Sequence, residues 1–252
     1  MFKNFSGTRF IGSQVIYLPK CHSTNDLAAE FIREGKSKEG LIIITDYQSS
    51  GRGQGNNTWD SEDGKNLTFS IILTPQLLKA HKNFMLGMAV IVGIYDGLDS
   101  LPLPGIRIKW PNDIYYDNKK LGGILIENIV RKSHIGASVA GIGINVNQER
   151  FTLPKAISLR QIRRTDTDRE KLFESIIYAV DHRYGQLHDH QFYNLRKDYN
   201  RALYRIHENC RFRAGEEFTG RISGVDDFGR LIVATGNGSR AFDAKEIEYL
   251  DE

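Results

Sequence analysis

The sequence predicts an α+β fold, with a mixed β-sheet and flanking helices followed by a small C-terminal β-barrel. Two observations lead to this prediction. Strand patterns alternate irregularly with helices that have broad apolar faces, as far as about residue 206. From about Arg211 the pattern changes to short strands separated by turns. We therefore expect a large domain over residues 1–206 and a small one over 207–252.

The first part of the chain alternates strand, helix and strand. Ser23 or Thr24 can cap a helix whose apolar residues share one face until Gly35 ends it. A long polar loop over Asp46–Lys65 separates the second strand from the third. These three strands are expected at Gln14–Leu18, Leu41–Thr45 and Leu67–Leu73.

The middle of the chain predicts a buried helix and then several strands. The helix is expected at Phe84–Tyr95, and the strands at Ile106–Trp110, from Ile114, at Leu121–Glu127 and at Ser138–Val146, with a turn at Asp117–Lys120. Two amphipathic helices, over Leu172–Leu187 and Phe192–Leu203, should close the larger domain.

The C-terminal segment reads as short strands joined by tight turns. The strands are expected at Phe218–Ile222, Leu231–Ala234 and Ala241–Asp243, and the turns at Asp226–Gly229 and Gly236–Gly238.

The composition is that of an ordinary globular protein. Of 252 residues, 40% are hydrophobic and 26% charged, and the net charge of +3 is spread along the chain, so no basic block indicates nucleic acid. Cys21 and Cys210 form no paired motif, which predicts neither a disulfide nor a zinc site and favours a reducing cytoplasm. Met1–Lys20 lacks the features of a signal peptide, and Met85–Leu98 is too short to span a membrane.

A glycine-rich loop, Gln48–Gly55, follows a strand without leading into a helix. Its glycines let backbone amides approach an anion, and the Arg52 guanidinium can add charge-assisted hydrogen bonds to a phosphate. Gly35-Lys36-Ser37 is not the end of a P-loop, because Glu30 stands where the leading glycine should be, and the missing strand, turn and helix context excludes a dinucleotide-binding motif. Glycine content alone favours a mobile surface loop, so an anion-binding role for this segment needs support from elsewhere in the chain.

Other polar and small residues occur at the ends of strands or inside them. In the strand before Trp110, Lys109 alternates with the apolar positions and so faces away from them, although a lysine at a strand end is most often simply solvated. Glycines inside strands weaken a sheet but allow a ligand to come close. Such glycines are Gly122, Gly123, Gly141 and Gly143.

Taken in order, these motifs resemble those of the biotin protein ligase family. They are Ser23-Thr24-Asn25, Gln48-x-x-Gly51-Arg52-Gly53, Trp59, Lys109-Trp110-Pro111-Asn112-Asp113, Lys120-Leu121-Gly122-Gly123-Ile124 and Gly141-Ile142-Gly143-Ile144-Asn145. The resemblance is strong from about Val15 to Asn147, and beyond that it rests on domain order.

The resemblance implies a fold like that of class II aminoacyl-tRNA synthetases and biotin ligases, with an SH3-like C-terminal barrel. It also implies a two-step reaction with Mg²⁺. The biotin carboxylate attacks the α-phosphate of ATP to give biotinyl-5'-AMP, and a lysine of a biotin carboxyl carrier protein then accepts the biotin. We expect the protein to act in the cytoplasm, with neither nucleic acid nor a membrane as a partner. Whether it forms a homodimer stays open.

The resemblance also implies roles for individual residues. Arg52 and Lys109 would be catalytic, with Lys109 the central cation between the biotin carboxylate and the α-phosphate. Biotin would contact both of these and also Ser23, Thr24, Asn25, Gln48, Gly51, Gly53, Gln54, Trp59, Gly122, Gly123, Gly141 and Gly143. ATP would contact Arg52, Gly53, Gln54, Trp59, Lys109, Asn112, Lys120 and Asn145.

Two departures and two alternatives accompany this interpretation. Only about a dozen residues precede the first strand, so we expect no winged helix-turn-helix, and Gln54 stands where such relatives carry a second arginine. A lipoate or octanoate ligase or transferase shares the fold and mechanism. A nucleic-acid-binding module is the alternative from another class, although basic and aromatic residues form no evident stripe in the small C-terminal domain.

Overall fold

A computed structural model describes residues 2–55, 57–75 and 78–250 and contains two sheets. The larger sheet has the strand order β1-β2-β3-β7-β6-β5-β4, in which β1 is parallel to β2 and the other pairs are antiparallel. The strands are β1 (Val15–Cys21), β2 (Ile42–Gln48), β3 (Leu67–Leu73), β4 (Ile106–Lys109), β5 (Asp113–Tyr116), β6 (Lys119–Arg131) and β7 (His134–Ile144). This arrangement confirms the predicted mixed sheet.

Helices cover both faces of the larger sheet. The described helices are α1 (Thr24–Arg33), α2 (Asn83–Asp99), α3 (Leu159–Arg163), α4 (Arg169–His188) and α5 (Phe192–Ala202). On one face α1 packs through Ala28 against Ile43 and Ile72. On the other face, α2 and α4 form the main core together with β-strand residues such as Phe69 and Ile142. None of the described helices combines the length and hydropathy needed to cross a membrane.

The two long helices α2 and α4 approach each other closely at two glycines. A Cβ added at Gly93 would lie 2.5 Å from the Val180 Cα, and one at Gly97 would lie 2.6 Å from the Ile176 Cα. Because the two glycines are four residues apart, they lie on the same face of α2. Glycine is therefore required there for packing, which explains why two helix-weakening residues occur in a buried helix.

The second sheet follows the helices and is wholly antiparallel, with the order β11-β10-β9-β8-β12. Its strands are β8 (Asn209–Ala214), β9 (Glu216–Val225), β10 (Leu231–Thr235), β11 (Gly238–Phe242) and β12 (Glu248–Tyr249). Phe212, Ile222 and Val233 of this sheet are fully buried and belong to the same hydrophobic cluster as the core of the larger domain. The small C-terminal β-domain expected from the turn pattern is thus present.

Several element boundaries differ from the prediction. The β6–β7 hairpin extends to Arg131 and His134, whereas we predicted that its first strand ends at Glu127. The extension was missed because the outer part of the hairpin shows only a weak alternation of apolar and polar residues. The expected turn at Asp117–Lys120 is shorter, since Asp117 alone adopts a left-handed φ of 49° and β6 begins at Lys119. Strands β8 and β12 and helix α3 were not predicted, because each is short and gains stability only by pairing or packing with distant elements.

The C-terminal sheet is anchored on the larger domain at its β9–β10 turn. The Trp110 Nε1 group donates a hydrogen bond of 2.8 Å to the Gly229 carbonyl. Next to it, the Tyr199 hydroxyl donates to the Pro111 carbonyl at 3.1 Å, and complete burial raises the Tyr199 pKa well above its usual range. The turn therefore holds the segment around Trp110 in place from behind.

Gly229→Ala should destabilise this anchor. Gly229 has a φ of +84°, and a Cβ placed there would lie 2.1 Å from the Phe84 ring. Strain at the left-handed backbone and overlap with the ring should together cost about 2 to 4 kcal/mol of unfolding free energy. Thermal denaturation of Gly229→Ala and of Gly236→Ala, whose Cβ meets nothing within 4 Å, measures the difference. Equal melting temperatures would contradict the close packing.

Candidate active site

A cavity of about 460 Å³ lies over the larger sheet, next to the start of α1 and the glycine-rich loop. It crosses strands β3, β7, β6 and β5 in their order in the sheet. Most of the residues singled out from the sequence line it, namely Ser23, Thr24, Asn25, Gln48, Arg52, Gly53, Gln54, Trp59, Asn112, Lys120, Gly123, Gly141 and Gly143. Motifs spread over more than one hundred residues of the chain therefore meet in one place.

One end of the cavity is lined by uncharged polar groups in a hydrogen-bonded network. Ser23 caps α1, which places Thr24 and Asn25 in the first turn, where both are buried. The Thr24 backbone amide and hydroxyl lie 2.7 and 3.1 Å from Gln48 Oε1. The Ser70 hydroxyl lies 2.6 Å from Asn25 Oδ1. This end can hydrogen-bond a polar, uncharged head group.

The network continues from Asn25 to the glycine-rich loop. Asn25 Nδ2 donates to Glu127 Oε2 at 2.8 Å, and Arg52 Nη2 lies 2.6 Å from the same oxygen. Arg52 Nη2 also lies 2.8 Å from Asp26 Oδ1. Two carboxylates thus hold the Arg52 guanidinium beside the cavity, where it is 41% exposed and accessible to an anion.

Three of the four predicted glycines form the floor. A Cβ added at Gly141 would lie 2.1 Å from Asn25 Oδ1, and one at Gly143 would lie 2.4 Å from the Trp59 ring. A Cβ at Gly123 would lie 2.7 Å from Asp113 Oδ1. Gly122 differs, because its Cβ would point at Ile144 on the other face of the sheet. Since successive strand residues alternate between faces, Gly122 and Gly123 cannot both face the cavity, and the expectation for Gly122 was wrong.

The glycine-rich loop folds back on itself. Arg52 pairs with Thr58 in an isolated antiparallel bridge, and the Gly53 amide donates to the Asn57 carbonyl at 2.7 Å. A Cβ at Gly51 would lie 2.3 Å from the Trp59 carbonyl oxygen, so only glycine allows this close return. Gly51 itself is buried behind the cavity wall and is not in the lining, whereas Gln54 is. Asn56 lies outside the described residues.

The other end of the cavity carries an ion pair. Lys120 Nζ lies 2.7 Å from Asp113 Oδ1, and both side chains are partly exposed to the cavity. Asn112 beside them donates through Nδ2 to the Ile124 carbonyl at 2.6 Å, which fixes its side chain. A lysine and a carboxylate side by side provide charges of both signs for an anionic ligand and its metal ion.

Lys109 does not line this cavity. It points toward the same face as Asp113, with which it pairs across β4 and β5, but β4 is the edge strand of the sheet. Its ammonium group lies 3.3 Å from the Tyr115 hydroxyl and 5.1 Å from the Tyr249 ring centroid. Of the two lysines, Lys120 is therefore the one that faces the cavity, and the central role of Lys109 stays a prediction that its position does not support.

Asn145 also takes a different position from the one expected. It is 3% exposed, and its Nδ2 donates to the Ile157 carbonyl at 3.1 Å and reaches the Lys120 carbonyl at 3.4 Å. It lines a separate cavity of about 30 Å³ next to Trp59 and Lys120 rather than the large one. Its side-chain amide thus holds the backbone of the Lys120 strand, which is a supporting role.

Two polar atoms at the cavity lack partners. Trp59 Nε1 and Thr68 Oγ1 are buried and have no hydrogen-bond partner within the described structure. Both residues line the large cavity. Because buried polar groups are normally paired, unpaired ones at a cavity are typical of a site that a ligand completes.

Several residues of the site were not among those predicted from the sequence, and five of them contribute polar groups to the contacts described above or line the cavity. They are Asp26, Ser70, Asp113, Tyr115 and Glu127. Ser70 pairs across the sheet with Gly141, and Asp113 pairs with Gly123. A polar residue opposite a strand glycine is a signal, but it can be read only when the strand register is known. Asp26 and Glu127 gave no local signal, because exposed carboxylates are common on helices and strands.

Comparison with protein families and with known proteins gives a consistent result. Residues 17–146 match the model of the biotin/lipoate A/B protein ligase family, and residues 206–249 match that of the biotin protein ligase C-terminal domain. The bifunctional ligase/repressor BirA of Bacillus spizizenii is 30% identical over 247 residues, which cover 96% of this chain and 75% of the relative. The biotin–[acetyl-CoA-carboxylase] ligase of Mycobacterium tuberculosis is 26% identical over 236 residues, with coverages of 90% and 86%.

Solved structures show the same fold. The biotin protein ligase of Aquifex aeolicus in complex with biotin and ATP superposes with a TM-score of 0.79 at 23% identity, covering 94% of this chain and 98% of that one. The ligase of Leishmania major in complex with biotin gives a TM-score of 0.62 at 20% identity, covering 92% and 99%. The match includes both the larger domain and the C-terminal sheet.

Proposed function

The chain belongs to the biotin/lipoate A/B protein ligase family, and from that premise we propose that it is an ATP-dependent biotin protein ligase. It converts biotin and ATP to biotinyl-5'-AMP and pyrophosphate, and then transfers biotin to a lysine of a biotin carboxyl carrier protein with release of AMP. The observation that carries this proposal is the cavity, which has uncharged polar groups at one end and a lysine–aspartate pair at the other.

The polarity of the cavity matches the two ends of biotin. The biotin head is a cyclic urea that needs uncharged hydrogen-bond donors and acceptors. Thr24, Asn25 and Gln48 supply these groups from the hydrogen-bonded network at one end of the cavity. The biotin tail ends in a carboxylate, which requires positive charge. Because the floor between the two ends is made of Gly141 and Gly143, an extended ligand can lie flat on the sheet.

Lys120 is assigned the central catalytic role. A carboxylate and an α-phosphate are both anions, so they repel each other until a cation lies between them. Lys120 Nζ reaches into the cavity at the end away from the polar head site, and Asp113 holds it at 2.7 Å. Arg52 adds a second cation from the glycine-rich loop and is free to exchange its carboxylate partners for a phosphate.

The residues present also fit Mg²⁺. This ion usually binds one or two carboxylates together with phosphate oxygens, and Asp60 and Asp113 are the carboxylates that line the cavity within the described part of the chain. When bound, Mg²⁺ would neutralise phosphate charge and orient the leaving pyrophosphate. Asp113 would hold the metal ion while keeping Lys120 in place, and Asn112 would support the nucleotide.

Incubation with biotin, magnesium-ATP and a biotin carboxyl carrier domain tests the function. We expect biotin-dependent release of pyrophosphate and a mass increase on one acceptor lysine, detected by mass spectrometry. Parallel reactions with lipoate or octanoate test the other activities of the same family. Labelling with lipoate that equals or exceeds labelling with biotin would overturn the assignment, because the two substrates differ mainly at the head group.

A further inference from the structure

The Lys109 ammonium group lies where the larger domain meets the C-terminal sheet. It is 4.7 Å from the centroid of the Tyr115 ring on β5 and 5.1 Å from that of the Tyr249 ring on β12. These distances fit cation–π contacts, which are strongest where the cation is partly shielded from water. Lys109 and Tyr249 are both half-buried, and Tyr115 is 7% exposed.

A third tyrosine packs beside the rings of Tyr115 and Tyr249. Tyr204 follows α5, is 5% exposed, and has its ring centroid 5.5 Å from that of Tyr115 and 6.4 Å from that of Tyr249. Its backbone amide donates to the Ile108 carbonyl at 2.8 Å, which ties it to the Lys109 strand. The three rings and the ammonium group form one packed cluster, here called the tyrosine cluster, in which Tyr249 is supplied by the C-terminal sheet.

The tyrosine cluster reaches the active site through Tyr115, which lines the large cavity. Tyr115 pairs with Lys120 across β5 and β6, and Asp113 is two residues away on the same strand. These three residues therefore share one face of the sheet. The Lys109 ammonium lies 3.3 Å from the Tyr115 hydroxyl, so the position of Lys109 influences that of Tyr115 directly.

We propose that Tyr249 is a positioning residue for the nucleotide end of the active site, acting through Lys109 on Tyr115. This inference rests on the proposed ligase function. The C-terminal sheet then has a part in catalysis: its β12 strand closes the tyrosine cluster and keeps Tyr115 against the Lys120–Asp113 pair. The biotin head site around Thr24 and Asn25 lies at the opposite end of the cavity and is unaffected.

The direct test of the contact is spectroscopic. A lysine methylene next to the face of an aromatic ring shows an upfield shift, which NMR of protein labelled with ¹³C-lysine detects, with the Lys109 signal assigned from Lys109→Arg. We expect part of this shift to disappear in Tyr249→Leu and to persist in Tyr249→Phe, which keeps the ring. A signal that is the same in Tyr249→Leu as in the unmodified protein would overturn the proposed contact.

The kinetic test distinguishes a positioning role of Tyr249 from a general role in the stability of the fold. Tyr249→Leu should raise the KM for ATP in adenylate formation by about tenfold, with the Kd for biotin unchanged and Tyr249→Phe close to the unmodified protein. Tyr193→Leu is the matched control, because Tyr193 is 69% exposed on α5. A KM within twofold of the unmodified value, or an equal loss in Tyr249→Phe, would overturn the proposal.

Lys109→Met tests the same cluster from the other side, in case Tyr249→Leu does not fold. It removes the ammonium group and keeps the alkyl chain, so it should give a similar rise in KM for ATP. The double variant should be no worse than either single one, because both remove the same interaction. Additive effects would overturn the proposed coupling between Lys109 and Tyr249. Failure of the wild-type protein to form any adenylate would instead refute the proposed function.

Discussion

Lys120→Gln is expected to lower the rate of biotinyl-adenylate formation by ~100-fold or more, because it removes the cation between the two anionic reactants. Glutamine is uncharged, of similar reach, and can still donate a hydrogen bond to Asp113, which accepts from Lys120 at 2.7 Å. The fold should therefore persist. Single-turnover measurement of pyrophosphate release at saturating biotin and magnesium-ATP isolates the chemical step from product release.

Two other lysines serve as controls for this result. Lys119 precedes Lys120 on β6 and is exposed, so Lys119→Gln should leave the rate unchanged. Lys109→Gln should act mainly on the KM for ATP, since Lys109 contacts Tyr115 and Tyr249 instead of lining the cavity. If Lys109→Gln lost ~100-fold in rate and Lys120→Gln did not, Lys109 would be the central cation, as the sequence predicted.

Gly141→Ala is expected to weaken biotin binding by ~100-fold, or about 2 to 3 kcal/mol, through overlap and lost hydrogen bonds. The added Cβ would lie 2.1 Å from Asn25 Oδ1 and would displace the amide from Ser70 and Glu127. The variant would lose both a flat floor and a head-group contact. Isothermal titration with biotin alone measures the affinity before ATP enters.

Gly136→Ala on the same strand provides the comparison. Its Cβ would approach only the Arg131 side chain, which is flexible and can move away. Biotin affinity should be unchanged in this variant, and the melting temperatures of both variants report whether the sheet is intact. Normal biotin affinity in a folded Gly141→Ala protein would show that Asn25 and the β7 floor are not part of the biotin site.

The strand motifs could be interpreted well from the sequence because strand geometry is periodic. Side chains alternate between faces, so Gly141 and Gly143 had to face the same way, and Lys109 had to face away from Ile108. The same periodicity could have separated Gly122 from Gly123 without a structure. What periodicity does not contain is the order of strands in the sheet, which decides whether a residue lies over the centre or at the edge.

The amino-acid sequence by itself determined the α+β class, the small C-terminal β-domain and the set of motifs that line the cavity, because apolar periodicity, glycine and turn residues act locally. Only the tertiary structure decided which lysine lines the cavity. Strand order places β4 at the sheet edge and β6 in its interior, so Lys109 meets Tyr249 of the C-terminal sheet while Lys120 meets Asp113. The pairing of Arg52 with Asp26 and Glu127 depends on the same long-range packing, since these residues come together only when α1, the glycine-rich loop and β6 are assembled.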